Sequence, residues 1–122
     1  MNKVDILVPE KAILIAKEII DEALPFLDKT NVLAIFGVGS FWFPRKKHNP
    51  RDIDLVVCAQ NDIKFIEEDR SKIAQPLRSM FNLYVETHMF TPYTSAVRYG
   101  PEKARFMLKE NFCLFGQLPD WL

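Results

Sequence analysis

The apolar residues of this chain follow two kinds of pattern, a helical spacing and short, mostly apolar runs. Near the N-terminus they recur every third or fourth residue, which predicts an amphipathic helix beginning near Pro9 and ending near Pro25. The residues that set this spacing are Ile13, Ala16, Ile20 and Leu24. A second helix is predicted after Asn61, and Pro76 within it should kink or split that helix.

Short, mostly apolar runs predict three strands. They lie at residues 32–36, 53–58 and 83–90, and each is rich in β-branched or aromatic residues. Gly37 and Gly39 are expected to end the first strand.

A last helix is predicted from Pro101, with Ala104, Leu108 and Phe112 on one side. The resulting order is helix, strand, strand, helix, strand, helix. It predicts an α/β or α+β domain with a small mixed sheet and helices packed on one face.

Composition narrows the class of protein. The 122 residues fit one domain spanning 1–122, and 16 basic side chains balance 16 acidic ones. A neutral chain lacks the broad basic surface of a nucleic-acid-binding protein. We find neither an apolar run of membrane-spanning length nor a signal-peptide pattern, so we expect a cytoplasmic protein. Cys58 and Cys113 are expected to be free thiols.

Two aspartates stand at the beginning of the second apolar run. Side chains alternate along a strand, so Asp52 and Asp54 should share one face while Ile53 and Leu55 point to the core. Neighbouring carboxylates repel each other and favour a bound cation, and oxygen ligands suit Mg²⁺. A pair of solvated acids at a strand end is the alternative.

A Gly-Ser turn follows the first predicted strand. The backbone amides and small hydroxyl of Gly39 and Ser40 could hold a phosphate, although an ordinary strand-ending turn would look the same. The surrounding residues match neither a dinucleotide-binding fingerprint nor a P-loop.

The third strand contains an acid, Glu86, in an otherwise apolar run. A buried unpaired charge is costly, so Glu86 is expected either to join the two aspartates or to lie on an exposed edge. His88 shares its face and could reach the same place, or serve only a structural role.

Together, Gly39-Ser40, Asp52-x-Asp54 and Glu86 resemble the motifs of the polymerase-β-like nucleotidyltransferase superfamily. The short chain is most similar to its minimal (MNT) members, which are often found with HEPN-type toxins. The resemblance covers roughly residues 31–90, and residues 102–116 are similar to the closing helix and apolar tail of that family.

The resemblance implies a role for each motif. Gly39 and Ser40 would hold nucleotide phosphates. Asp52, Asp54 and Glu86 would be the catalytic and metal-binding residues for two Mg²⁺ ions. The implied reaction moves a nucleoside monophosphate, AMP from ATP, to a hydroxyl on a partner protein such as a HEPN-type toxin.

Several alternatives stay open from the sequence. The chain could instead be a non-catalytic, antitoxin-like module that neutralises its partner by contact, and it could form homo-oligomers. Trp42 could stack on a base or anchor the turn to the core, and the basic loop 45–51 could steer triphosphate or simply be solvated. Residues 92–122 are expected to cover the core face of the sheet.

Overall fold

The computed structural model describes residues 9–27, 32–39, 41–42, 51–60, 67–93, 102, 108 and 112–121. Its elements are helix α1 (Pro9–Ala23), a 3₁₀ turn (Leu24–Phe26), strands β1 (Val32–Val38) and β2 (Asp52–Ala59), helix α2 (Glu67–Phe81), and strands β3 (Tyr84–Phe90) and β4 (Cys113–Gly116). Neither α1 nor α2 is long and apolar enough to cross a membrane.

The four strands form one mixed sheet in the order β3-β2-β1-β4. Strand β1 is antiparallel to both β2 and β4, whereas β2 and β3 run parallel and are joined through α2. The predicted α+β class and mixed sheet are therefore confirmed.

Both helices pack on one face of the sheet, which we call the helix face. The core cluster contains buried side chains spaced four residues apart from α1 and likewise from α2, so each helix presents one apolar stripe. The sheet contributes every second residue of β2 to the same cluster. The helix residues are Ala12, Ala16, Ile20, Ile73, Leu77 and Phe81, and the β2 residues are Ile53, Leu55 and Val57.

A register shift near the start of β1 places both Val32 and Ile35 on the helix face. The pairing of β1 with β2 is irregular between Val32 and Ala34, as in a β-bulge. Because of this irregularity Val32 and Ile35, three residues apart, both join the helix-face cluster. Strict alternation would have put one of them on the opposite side.

The opposite face of the sheet carries a second, smaller apolar cluster. Val56 and Cys58 of β2 pack there with Phe36 and Phe90 from the neighbouring strands. Two C-terminal residues, Leu108 and Trp121, join this cluster. The expectation that the whole C-terminal segment covers the helix face is therefore wrong, because these two side chains cover the face that also carries the acids.

The boundaries of several elements differ from those predicted. Strand β1 continues through Gly37, and helix α2 continues through Pro76. Pro76 is exposed and is accommodated within α2, although its ring nitrogen cannot donate the usual helical hydrogen bond. Helix α2 ends at Phe81. The next residue, Asn82, has a φ of 54°, and its N–H donates to the Arg78 carbonyl over 2.8 Å.

The C-terminal region contains a strand that the sequence pattern did not predict. Strand β4 is only four residues long and pairs with β1 at the edge of the sheet. Most of the helix predicted from Pro101, like Ile63 and Ile66 of the second predicted helix, lies outside the described residues.

The two cysteines are free, as expected. Cys58 is buried in the second cluster, and burial raises the pKa of its thiol to about 12. The thiol of Cys58 is therefore protonated at neutral pH and acts as a small apolar side chain.

Candidate active site

Parallel pairing of β2 with β3 brings the acids of the two strands together. Asp54 lies opposite Glu86 in the register, with Asp52 opposite Tyr84 on one side and Val56 opposite His88 on the other. Residues paired across adjacent strands share a face, so these side chains all point away from the helices. The acids therefore lie on the same face of the sheet as the second apolar cluster.

The ligand atoms of Asp54, Glu86 and His88 lie within 4.8 Å of one another. Within this group, Nε2 of His88 is 3.4 Å from Oδ1 of Asp54. Both side chains are partly open to solvent, with 42% of His88 and 25% of Asp54 exposed. The arrangement leaves donor atoms accessible to a ligand from the bulk solution.

Asp52 shares this face but stands apart from the ligand group. It lies two residues before Asp54 on β2, which is about 6.7 Å along a strand. Its carboxylate is nonetheless near enough to act on Asp54 electrostatically. Of the three predicted acids, Asp54 and Glu86 thus lie close together, while Asp52 extends the negative surface towards the start of β2.

The environment of Asp54 disfavours its negative charge. Burial raises the pKa of the Asp54 carboxyl above its usual value, and the carboxylates of Asp52 and Glu86 raise it further. The contact with His88 acts in the opposite direction. A divalent cation would relieve this repulsion, so both the donor types and their electrostatics fit a metal ion.

The Gly39 turn lies directly against the Asp54 carboxylate. Gly39 has a φ of +85°, and a Cβ at this position would lie only 2.9 Å from Oδ2 of Asp54. Glycine is therefore required here both for the left-handed backbone and for the close approach. Ser40, the other predicted phosphate-binding residue, lies outside the described residues, as does loop 43–50.

Trp42 anchors the turn to the core. Its side chain is fully buried on the helix face beside Gly37, and its ring packs edge-on against Phe41. Its Nε1–H donates to the backbone carbonyl of Asp54 over 3.0 Å. Of the two roles considered from the sequence, anchoring is the one observed, and it ties the turn to the strand that carries the acids.

Two neighbours of the acids have only weak signals in the sequence. The His88 side chain on β3 reaches Asp54 on β2, and the only signal for this in the sequence is that His88 shares a face with Glu86. Tyr84 is 60% exposed and lies opposite Asp52, so it offers an aromatic surface at the rim of the acidic patch. Finding either contact requires the pairing register, which one sequence does not reveal.

Three solved structures contain a chain with the same fold. The first, a toxin–antitoxin with AMP-PNP, is 19% identical with a TM-score of 0.53, covering 86% of this chain and 77% of that chain. The second, a tri-AMPylated Shewanella oneidensis HEPN toxin in complex with MNT antitoxin, is 20% identical with a TM-score of 0.51, covering 86% and 73%.

The third is the toxin–antitoxin MntA–HpeT with two aspartates changed to glutamates. It is 18% identical with a TM-score of 0.52, and the match covers 86% of this chain and 76% of that chain. No protein-family model and no curated protein matches the sequence. At these identities the likeness is one of fold, and at that level it confirms the resemblance seen in the sequence.

Proposed function

We propose that this protein is a nucleotidyltransferase that moves AMP from ATP to a hydroxyl group of a partner protein. The observation that carries the proposal is the meeting of Asp54 and Glu86 across β2 and β3, directly against the Gly39 turn. A phosphate-binding turn beside a carboxylate cluster is what metal-assisted phosphoryl transfer requires.

In this proposal Asp52, Asp54 and Glu86 hold two Mg²⁺ ions. When bound, the ions supply positive charge that stabilises the attacking and leaving oxygens. The short, buried strand β2 fixes both aspartates, and Trp42 holds the carbonyl of Asp54. This rigidity keeps the carboxylates in position while substrates enter.

Gly39 and Ser40 are proposed to bind the triphosphate. Since Gly39 has no side chain, a phosphate can approach the backbone close to the Asp54 carboxylate. The acceptor hydroxyl then attacks the α-phosphorus and loses its proton to solvent. The bond from the α-phosphorus to the oxygen that bridges to the β-phosphate breaks, which releases pyrophosphate. The similar toxin–antitoxin structure with AMP-PNP supports an adenine nucleotide as the donor.

We propose a HEPN-type toxin as the acceptor. Support comes from the similar complex that contains a tri-AMPylated HEPN toxin and an MNT antitoxin. The doubly substituted MntA–HpeT also adds support, since its two replaced aspartates have the same one-residue gap as Asp52 and Asp54.

The test is transfer of label from ATP to the cognate toxin. With Mg²⁺ present, label on the α-phosphate should appear on the toxin and label on the γ-phosphate should not. Asp54→Asn should abolish transfer while the variant stays folded and still binds the toxin. Asp21→Asn, which removes an exposed aspartate from α1, is the matched control and should transfer normally. A parent protein that binds the toxin but transfers nothing would instead be a contact-only antitoxin module.

A further inference from the structure

We infer that His88 is a metal ligand, so that the ion next to Glu86 is bound by mixed nitrogen and oxygen donors. The site should then favour a first-row transition metal, such as Mn²⁺ or Co²⁺, at this position. The inference deepens the proposed function and rests on it for the reaction in which the ion takes part. Its basis is the ligand group of Asp54, Glu86 and His88.

The first argument is the distance between His88 and Asp54. A charge-assisted hydrogen bond between imidazole and carboxylate is about 2.7–2.9 Å long, whereas Nε2 and Oδ1 are 3.4 Å apart. Two ligands bound about 2.1 Å from one ion stand about 3.0–3.4 Å apart at octahedral or tetrahedral angles. The observed separation is long for a charged pair and lies within the range for two ligands of one ion.

The second argument is the position of the three side chains in the sheet. Asp54 and Glu86 are paired in register, and His88 follows Glu86 on the same face. His88 lies on the side of this pair opposite to Asp52, and its Nε2 turns back towards Asp54. Donor atoms therefore surround a point next to Glu86 from two strands, and Asp52 remains available to a second ion shared with Asp54.

The donor chemistry sets the preferred metal. Mg²⁺ takes oxygen ligands almost exclusively, whereas an imidazole nitrogen suits transition metals. Any such site binds Co²⁺ more tightly than Mg²⁺, so a preference in the parent protein alone would prove little. The informative quantity is how removal of His88 changes the affinity for each metal.

The experiment compares His88→Gln with His48→Gln, the chain's two histidines being those at 48 and 88. Calorimetry in nucleotide-free buffer should show Co²⁺ affinity falling at least about tenfold in His88→Gln. Mg²⁺ affinity should change about threefold or less, because glutamine still offers an oxygen. Circular dichroism checks that the variants are folded, which the 42% exposure of His88 favours.

Pulsed electron paramagnetic resonance on bound Mn²⁺ gives a readout that does not depend on activity. The parent and His48→Gln should show coupling to a ligand nitrogen, and His88→Gln should not. Absence of that coupling in the parent, or its loss only in His48→Gln, overturns the inference. Equal falls in Co²⁺ and Mg²⁺ affinity in His88→Gln overturn it as well.

The outcome for the proposed function is measured separately. Mg²⁺-dependent AMP transfer by His88→Gln would leave the proposed function standing whatever the metal spectra show. Nitrogen coupling in a parent protein that transfers nothing would support the ligand role of His88 and count against the transferase.

Discussion

The two faces of the sheet are most different along strand β2. Its helix-face residues Ile53, Leu55 and Val57 are all fully buried, with 0% exposure. On the other face the strand begins with two half-buried aspartates and becomes apolar only at Val56 and Cys58. One strand therefore stabilises the fold with one set of alternate residues and carries the candidate chemistry with part of the other set.

The two faces of β2 differ in what they contribute to stability. Burying an apolar side chain contributes about 1.5–3 kcal/mol, so the helix face favours folding at each position. At Asp54 the protein instead accepts a carboxylate whose charge is disfavoured by burial and by two neighbouring acids. Such conflict between local chemistry and stability is typical of functional sites.

The largest difference in stability between the two faces is expected when Leu55 is replaced. Leu55→Ala should lower the free energy of unfolding by about 2–5 kcal/mol, because it leaves a cavity in the helix-face core. Urea denaturation measures this value. The adjacent change Asp54→Asn should cause no loss of stability in metal-free buffer, and equal losses in the two variants would remove the distinction between the faces.

Replacing Gly37 with alanine adds one methyl group on the helix face, and replacing Gly39 adds one beside the acids. A Cβ on Gly37 would lie 2.6 Å from the Trp42 ring, so Gly37→Ala should destabilise the protein by about 1–3 kcal/mol through overpacking. Gly39→Ala should cost about 1–2 kcal/mol, since alanine is strained at a φ of +85°.

The two glycine variants should differ more in metal binding than in stability. The new methyl group of Gly39→Ala would displace the Asp54 carboxylate, so calorimetry should show weaker binding of Mn²⁺. Folded Gly37→Ala should bind Mn²⁺ like the parent. If both variants bind the metal equally well, Gly39 does not position Asp54.

Much of the fold could be predicted because local pattern and packing agree there. The helical spacing of Ala16 and Ile20 suits only a helix with one buried side, and the apolar run 53–58 suits only a buried strand. Helix α1 and strand β2 therefore appear where the sequence predicts them. The sequence pattern does not predict strand β4, because the strand is only four residues long. It is stabilised by pairing with β1, and its own residues do not indicate that pairing.

The candidate site was only partly predictable for a related reason. The shared face of Asp52 and Asp54 follows from alternation alone. The meeting of Asp54 with Glu86 and His88 depends on the parallel register of β2 with β3, and a shift of one residue would reverse the face. The anchoring of Trp42 beneath the turn likewise depends on the absence of a side chain at Gly37.

The smallest effect expected concerns the pH dependence of stability at Asp54. The pKa of Asp54 is raised in the folded protein from 3.8, so its protonation favours folding. That contribution is fully present below pH 3.8 and is lost as the pH rises through the raised value. Asp54→Asn should therefore resemble the parent in acid and become the more stable of the two towards neutral pH.

Urea denaturation between about pH 4 and pH 8, with a chelator present, measures this difference. Asp21→Asn, in helix α1, is the control because it also removes one negative charge. Since the Asp52 carboxylate is one cause of the raised pKa, the advantage of Asp54→Asn should be smaller when Asp52→Asn is also present. Added Mn²⁺ should reverse the order, because it stabilises only the protein that retains the carboxylate ligand. If the stability advantage of Asp54→Asn over the parent stays constant across this pH range, the charge of Asp54 is not disfavoured. The two faces would then differ in packing but not in electrostatics.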